Sequence, residues 1–217
     1  MSIRSSIRTV LTLGRGVARG IPEAAADADP IELFGEWFEA AGESGLLLPE
    51  SCALATATPE GRPSVRMVLL KGVDSRGFVF FTNYGSRKAE EIEANPHAAL
   101  CFHWAVLERQ VRVTGAVSRV SDEESEAYFE SRGRGSRIGA WASRQSRRLP
   151  VRRELEERVR EIEERFEDGE VPRPPFWGGY RIAPETVEFW QGRADRLHDR
   201  LVFTQSGERW STRRLYP

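Results

Sequence analysis

The sequence contains few cysteines and no long apolar segment. Cys52 and Cys101 are the only cysteines among 217 residues, too few for a disulfide framework or a cysteine-rich zinc site, so we expect a reducing, cytoplasmic location. No segment approaches the ~20 consecutive apolar residues of a membrane helix. Basic residues are not in excess either, because 32 of them face 33 acidic residues. The composition therefore argues against a membrane protein and a general polyanion binder.

Lysine is nearly absent. Of the 32 basic residues 30 are arginine, and only Lys71 and Lys88 are lysine. The lysine ammonium is a compact charge that suits a tight phosphate contact, whereas the arginine guanidinium is a broad planar fork. Both lysines are therefore candidates for phosphate binding, with chance as an equal alternative.

The pattern of apolar residues predicts mainly strands. Between residues 51 and 120, β-branched and aromatic runs alternate with turn segments such as PEGR and DSRG, as in an antiparallel meander or barrel. Similar runs return between 178 and 215, and because they lack a second core we expect them to complete the same sheet. Helices are predicted from Asp29-Pro30 onward, over 85–96, from the capping box at 121–124, and over 151–167.

Two regions are expected along the chain. Residues 1–28 are interpreted as a flexible basic arm and residues 29–217 as a single domain. The first 22 residues contain four arginines and no acid. A transit peptide is the alternative interpretation of this segment.

A candidate anion site lies where a predicted strand leads into a helix. In the segment Asn83-Tyr-Gly-Ser-Arg-Lys88, backbone N–H groups, a hydroxyl and two cations meet at the positive end of a helix dipole. An ordinary helix start with solvated cations is the alternative. The earlier predicted strand SVRMVLLKGV carries Arg66 among apolar residues, where a cation needs an anion or a carboxylate as partner. Arg66 and Lys71 are an odd number of residues apart, so a regular strand would point them to opposite faces. They can serve one cavity only if the strand has a bulge or ends between them, or if two ligands lie next to each other.

The segment 131–153 is rich in arginine. It contains eight arginines, no acid and several small polar residues, a composition suited to a phosphorylated small molecule. Nucleic-acid binding and a solvated loop are the alternatives. Nucleic acid is disfavoured because the chain as a whole is acidic and no aromatic residues alternate with these arginines.

A third cluster is Arg196-Leu-His-Asp-Arg200. Strand alternation would place Arg196, His198 and Arg200 on one face, as an electropositive wall for an anionic ligand. An ordinary surface histidine is the alternative. The sequence contains no HExxH, GxSxG, Walker or GxGxxG motif and no cysteine pair at metal spacing. Phosphate-binding candidates without an evident nucleophile or metal site indicate that an organic cofactor carries the chemistry.

The sequence resembles the pyridoxamine 5'-phosphate oxidase family from about residue 30 to Pro217. Eight motifs occur in the family's order: RMVLLK, FFTNYGSRKA, ERQVRV, AYFESR, SRIGAWASRQS, PPFWGGYRI, EFWQG and RLHDR. The resemblance implies a mainly β fold, an FMN-binding split β-barrel with Greek-key-like antiparallel strands and peripheral helices, and a homodimer with FMN at its interface. It also implies oxidation of pyridoxamine or pyridoxine 5'-phosphate to pyridoxal 5'-phosphate, with O2 as acceptor and hydrogen peroxide as by-product.

The resemblance further implies roles for individual residues. The expected FMN ligands are Arg66, Met67, Val68, Leu69, Leu70, Lys71, Phe81, Thr82, Arg87, Lys88, Gln110, Gln145, Ser146, Trp190 and Arg200. The expected substrate ligands are Lys71, Tyr128, Arg132, Ser136, Arg196 and His198. Arg196 and His198 are also the expected catalytic pair, with Arg196 orienting the substrate and His198 ordering its ring. No metal, nucleic acid or membrane partner is expected.

The sequence departs from the family pattern at two places. Relatives often carry Tyr at the position of Phe81, so this chain lacks a hydroxyl that the relatives have near the flavin. Their N-terminal arm often supplies an Arg and a Tyr over the substrate; Arg8 is a candidate for the first, but no Tyr precedes Tyr84. The alternatives that remain are a related split-barrel flavoenzyme, such as a phenazine-pathway oxidase or a flavin-dependent reductase, and a non-catalytic binder of flavin or pyridoxal phosphate.

Overall fold

The computed structural model describes residues 20–217, apart from the side chain of Ala24. Five α-helices occur in this part of the chain: α1 (Pro30–Glu43), α2 (Arg87–Ala94), α3 (Asp122–Glu130), α4 (Arg134–Ala142) and α5 (Arg152–Arg165). Nine strands accompany them: β1 (Ser51–Ala57), β2 (Pro63–Leu69), β3 (Gly72–Asp74), β4 (Gly77–Asn83), β5 (His97–Trp104), β6 (Arg109–Arg119), β7 (Trp177–Gln191), β8 (Asp199–Ser206) and β9 (Arg209–Arg214). Three short 3-10 turns span Glu23–Asp27, Ala105–Leu107 and Ala194–Arg196.

All the described strands belong to one antiparallel sheet. Its order is β2-β1-β5-β6-β7-β4-β3, and β8 pairs with β7 and β9. The sheet curls into a half-barrel with the helices at its periphery, so the mainly β, split-barrel prediction is confirmed. The expectation that the late strands complete the same sheet is also confirmed, because β7 pairs with β6, β4 and β8.

Helix α1 closes the core as its sequence predicts. The Asp29 side chain accepts hydrogen bonds from the N–H groups of Ile31 (2.7 Å) and Glu32 (3.3 Å), and Pro30 occupies the first turn. Phe34 is fully buried, with its ring centroid 4.9 Å from that of Phe78. Burial of a side chain of this size contributes ~2–3 kcal/mol, so this face attaches α1 to the sheet.

The long strand β7 was expected as two runs, GGYRIAP and TVEFWQG, but forms one strand of 15 residues. Pro184 lies inside it, opposite Gly115, where the register with β6 shifts between Thr114 and Gly115. Proline is tolerated in a sheet interior at such a bulge. A Cβ on Gly115 would lie 1.8 Å from the Ala183 carbonyl oxygen, so only glycine allows this close approach.

Other predictions were correct in type but not in extent. The run SVRMVLLKGV was expected as one strand, but β2 ends at Leu69 and β3 begins at Gly72. Helix α5 forms over its predicted segment, yet none of its residues is fully buried in the single chain. Helix α4 lies in the arginine-rich segment, for which no helix was predicted.

Residues 1–19, including Arg8, lie outside the described part of the chain. Residues 20–28 pack on the domain, where Ile21 is 6% exposed and its N–H donates to Asp199 Oδ2 (3.0 Å). The division at residue 28 stays a prediction. In the described part, no helix is both long enough and apolar enough to span a bilayer.

Candidate active site

A cavity of about 470 Å³ opens beside the edge strand β2, within the ~300–1,000 Å³ range of small-molecule pockets. The ends of β2 and β4, the first turn of α2 and the segment from α3 to α4 surround it. Both lysines of the chain line it. The other lining residues are Met67, Val68, Leu69, Phe81, Thr82, Asn83, Tyr128, Arg132, Ser136, Gly139, Ala140, Ser143, Gln145 and Trp177.

Lys88 is a buried cation without a carboxylate partner among the described residues. Its side chain is 8% exposed, and Nζ donates to Thr82 Oγ1 (3.0 Å), Ser86 Oγ (3.3 Å) and Gln145 Oε1 (3.1 Å). All three acceptors are neutral. Burial, and secondarily the charge of Arg66, lowers the pKa of Lys88 to about 8. This environment favours an anion that would restore the charged form.

Arg132 is the second uncompensated cation of the cavity. It lies between α3 and α4, and its Nη1 is buried without a hydrogen-bond partner. Burial lowers the pKa of its guanidinium, which the nearby Tyr128 opposes. A buried donor left unsatisfied costs ~1–3 kcal/mol, so a ligand oxygen at this point would be stabilised.

Two cations expected as FMN ligands, Arg66 and Arg87, pair with a buried carboxylate in the single chain. Glu91 is 5% exposed, and it accepts hydrogen bonds from Arg66 Nη2 (3.2 Å) and Arg87 Nε (2.8 Å). It also accepts from the hydroxyls of Thr56 and Ser64. Burial tends to raise the pKa of Glu91, but these four hydrogen bonds outweigh it and lower the pKa to about 2. Neither Arg66 nor Arg87 lines the cavity.

Arg66 and Lys71 were expected on opposite faces of one strand unless the strand ended between them. The structure shows such an end, because β2 stops at Leu69. Arg66 lies inside β2, whereas Lys71 lies beyond its last residue, Leu69, and is free of the strand's alternation. Lys71 therefore reaches the cavity although Arg66 does not. Two further expected FMN ligands do not line the cavity: Leu70, which is buried in the core, and Ser146, which is exposed.

The remaining expected residues form a second cluster where β6, β7 and β8 meet. Gln110 lies opposite Trp190, and Trp190 lies opposite Arg200. The rings of Trp190 and His198 are 4.6 Å apart. Arg200 Nε donates to Glu188 Oε1 (2.8 Å).

The local geometry of Arg196 and His198 differs from the prediction. The expectation that they alternate with Arg200 on one strand is wrong, because β8 begins only at Asp199. Asp195 (φ 57°) and Arg196 (φ 61°) adopt left-handed backbone conformations in a tight turn. Such strain in non-glycine residues is typical of functional sites. His198 Nδ1 accepts from the N–H of Arg193 (3.1 Å), so the neutral imidazole carries its proton on Nε2.

The two clusters lie at opposite ends of the same strand. Trp177, which lines the cavity, is the first residue of β7, and Trp190 is its penultimate residue. At ~3.3 Å per residue, the strand between these two residues is roughly 40 Å long, measured along its curved path. Neither Arg196 nor His198 lines the cavity of the single chain.

Five cavity residues were not predicted as ligands: Asn83, Gly139, Ala140, Ser143 and Trp177. All five belong to motifs that the sequence shares with the family, FFTNYGSRKA, SRIGAWASRQS and PPFWGGYRI. Considering whole motifs, and not only their charged residues, would have identified them. The adjacent Gly178 and Gly179 explain part of PPFWGGYRI. A Cβ on Gly179 would lie 2.8 Å from the Phe81 ring, and one on Gly178 would lie 2.1 Å from the Tyr84 hydroxyl. These glycines admit both rings against β7.

The cavity residues fit a phosphorylated cofactor and a phosphorylated substrate. Lys88 and the buried Nη1 of Arg132 each lack an anionic partner among the described residues. The apolar side chains of Met67, Val68 and Leu69 line the same space. An apolar wall together with three cations, Lys71, Lys88 and Arg132, suits FMN and a phosphorylated pyridine.

Comparison with known proteins agrees with this geometry. The family described as pyridoxamine 5'-phosphate oxidase matches residues 38–166, and the pyridoxine 5'-phosphate oxidase C-terminal dimerisation region matches residues 177–217. A pyridoxine/pyridoxamine 5'-phosphate oxidase of Psychromonas ingrahamii is 58% identical, over 100% of both chains. One of Rubrobacter xylanophilus is 62% identical, over 91% of both chains. The structure of PhzG from Burkholderia lata, in complex with tetrahydrophenazine-1-carboxylic acid, superposes with a TM-score of 0.86 at 31% identity, over 92% of this chain and 98% of that one. The chain thus belongs to the pyridoxamine 5'-phosphate oxidase family.

Proposed function

We propose that the protein oxidises pyridoxamine 5'-phosphate and pyridoxine 5'-phosphate to pyridoxal 5'-phosphate, with FMN as cofactor and O2 as electron acceptor. One observation carries this proposal: two cations of one cavity, the buried Lys88 and the half-buried Arg132 with its buried Nη1, lack any carboxylate partner among the described residues. A cofactor phosphate and a substrate phosphate would satisfy them separately. When bound, FMN accepts two electrons from the substrate and passes them to O2, which yields hydrogen peroxide.

The cavity residues divide between the two ligands. Lys88, Thr82 and Gln145 form one hydrogen-bonded group, which we assign to the FMN phosphate. Arg132, with Tyr128, Ser136 and Lys71 on the cavity wall, is assigned to the substrate phosphate. Arg66 and Arg87 contribute their charge from the periphery, because Glu91 already pairs with both.

Arg196 and His198 act from the other end of the domain. In this proposal Arg196 orients the substrate and stabilises its charge, and His198 donates from Nε2 because Nδ1 is occupied by the Arg193 N–H. Holding the reacting carbon ~3–3.5 Å from its acceptor is a positioning task that needs no strong base. The turn that carries Arg196 and His198 lies next to three other residues that would close the FMN site: Gln110, Trp190 and Arg200.

A homodimer brings the two clusters together. The chain contains the family's dimerisation region at residues 177–217. Val65 and Met67, on the outer side of β2, are 69% and 64% exposed in the single chain, and Met67 also lines the cavity. A second copy would cover such apolar side chains. The active site would then combine the cavity of one subunit with the Arg196–His198 loop of the other.

Subunit complementation tests this arrangement. Arg132→Gln and Arg196→Met, each of low activity alone, are unfolded together and refolded as mixed dimers. If each site takes one cluster from each subunit, every heterodimer contains one intact site, so about a quarter of wild-type activity returns in a statistical mixture. The absence of any recovery, with heterodimers verified by mass spectrometry, would show that one chain supplies the whole site.

A phenazine-pathway oxidase is the second candidate, because the structure of PhzG superposes closely. A phenazine carboxylic acid has no phosphate, however, and would not supply a phosphate to the Arg132 group. The purified protein should be yellow, release FMN on denaturation, and consume O2 with pyridoxamine 5'-phosphate while forming pyridoxal 5'-phosphate. Oxidation of a reduced phenazine carboxylic acid without turnover of pyridoxamine 5'-phosphate would favour the second candidate. Flavin binding without turnover of either would indicate a carrier.

We also propose a cytoplasmic location. Neither Cys52 nor Cys101 forms a disulfide. Burial raises the pKa of the Cys52 thiol to about 12, which keeps it unreactive. Two unpaired thiols are consistent with a reducing compartment. Fluorescence microscopy of a tagged chain in its own cell would test the location.

A further inference from the structure

We propose that Trp177 is a positioning residue for the substrate phosphate, which it serves by holding the Arg132 guanidinium without neutralising it. The inference rests on the proposed function, in which Arg132 binds that phosphate. Trp177 is 6% exposed, lines the cavity, and was not among the residues expected to bind a ligand.

Aromatic rings support Arg132 in place of a carboxylate. Its guanidinium carbon lies 4.7 Å from the centroid of the Trp177 ring and 5.6 Å from that of Phe129. Two other half-buried arginines pair with acids: Arg173 with Asp122 and Glu126, and Arg181 with Asp74 and Glu124. Arg132 forms no ion pair with any described carboxylate, and its Nη1 is unsatisfied.

This difference has a functional consequence. A carboxylate would fix the guanidinium but would also occupy its donors and cancel its charge. The face of an indole attracts a cation through its quadrupole and leaves the N–H groups in the guanidinium plane free. Trp177 therefore keeps Arg132 in place with its charge and donors available for a phosphate.

Trp177 is itself firmly held. The backbone N–H of Trp177 donates to the Pro174 carbonyl (3.0 Å), and the backbone carbonyl of Trp177 accepts from Arg173 Nη1 (2.8 Å). Arg173 in turn pairs with Asp122 and Glu126 of α3, the helix that leads to Arg132. The planes of Phe81 and Trp177 are 11° apart, with centroids at 5.6 Å. The ring that supports Arg132 is thus fixed by the same elements that form the cavity.

The test measures phosphate-dependent binding rather than turnover alone. Dissociation constants for pyridoxal 5'-phosphate and for unphosphorylated pyridoxal are determined by calorimetry on the FMN-bound protein. Trp177→Leu should weaken binding of the phosphorylated ligand roughly tenfold, leave pyridoxal unchanged, and raise KM while kcat changes less than about twofold. Trp177→Phe keeps an aromatic face and should give an intermediate loss, which also serves if the leucine variant folds poorly.

A double-mutant cycle separates positioning from general packing. If Trp177 acts through Arg132, Trp177→Leu should have no further effect in an Arg132→Gln background. Trp141→Leu is the matched control, because Trp141 also lies under an arginine, Arg165 at 4.9 Å, but does not line this cavity. Equal losses for pyridoxal and its phosphate, or additive losses in the double variant, would overturn the proposal. Failure of the wild-type protein to oxidise pyridoxamine 5'-phosphate would refute the proposed function but not this coupling.

Discussion

The protonation state of Lys88 should control the affinity for FMN. In the free protein the pKa of Lys88 is lowered to about 8, mainly by burial, from 10.5. Lys88 is then protonated in about 90% of the molecules at pH 7 and in about 10% at pH 9. If FMN binds only the protonated form, its affinity should fall about tenfold between these two pH values. The phosphate dianion does not contribute, since its second pKa is ~6. Calorimetric titration of flavin-free protein with FMN at constant ionic strength measures this slope.

The matched pair of lysines makes the test specific. Lys88→Met should abolish the pH slope and weaken FMN binding at pH 7 by about ten- to a hundredfold, as for loss of a charged hydrogen bond of ~1.5–3 kcal/mol. Lys71→Met, in the same cavity, should retain the slope and lose affinity for the substrate instead. The reasoning is refuted if wild-type affinity is flat between pH 7 and 9, or if Lys88→Met retains the slope.

Three further predictions concern stability, the cavity and turnover. Because the pKa of Glu91 is lowered to about 2 in the folded state, its stabilising contribution is present above pH ~4.5 and is lost as pH falls toward 2; Glu91→Gln should lose up to roughly 3 kcal/mol at pH 7 and show a flatter acid denaturation profile, measured by urea unfolding. Gly179→Val places atoms against the Phe81 ring and should lower FMN content with a lower melting temperature, whereas full flavin loading would contradict the close approach. Arg196→Met should reduce kcat at least tenfold with FMN content unchanged, and unaltered kinetics would remove Arg196 from the site.

Part of the expected ligand set lies in one cavity of the structure. The helix start after Asn83 is encoded within a few residues, whereas Gln145, which was expected from the family resemblance, is distant in sequence from Thr82 and Lys88, and the fold brings all three into one hydrogen-bonded group. The scarcity of lysine was informative as well. In a chain that otherwise uses arginine, the two lysines occupy one cavity.

Helix α4 could not be predicted from local preference. Gly133, Gly135 and Gly139 lie in or next to it, and each interior glycine costs up to ~1 kcal/mol relative to alanine. Tertiary packing compensates, since Ile138 is 4% exposed and Ala142 is fully buried. The turn at Arg196 was missed for a related reason, because nothing in the sequence marks two consecutive non-glycine residues in the left-handed region.

The free positive charge of the site is decided by one carboxylate. The family resemblance implies that Arg66, Arg87 and Lys88 act together on the FMN phosphate. The structure instead pairs both arginines with Glu91, whose single negative charge offsets one of them, and leaves Lys88 without a carboxylate partner among the described residues. Glu91 is on α2 and Arg66 on β2, so only the fold reveals that they pair. Of these three cations only Lys88 lines the cavity, and its pKa is lowered to about 8, so FMN affinity should follow the titration of Lys88 rather than the number of nearby arginines.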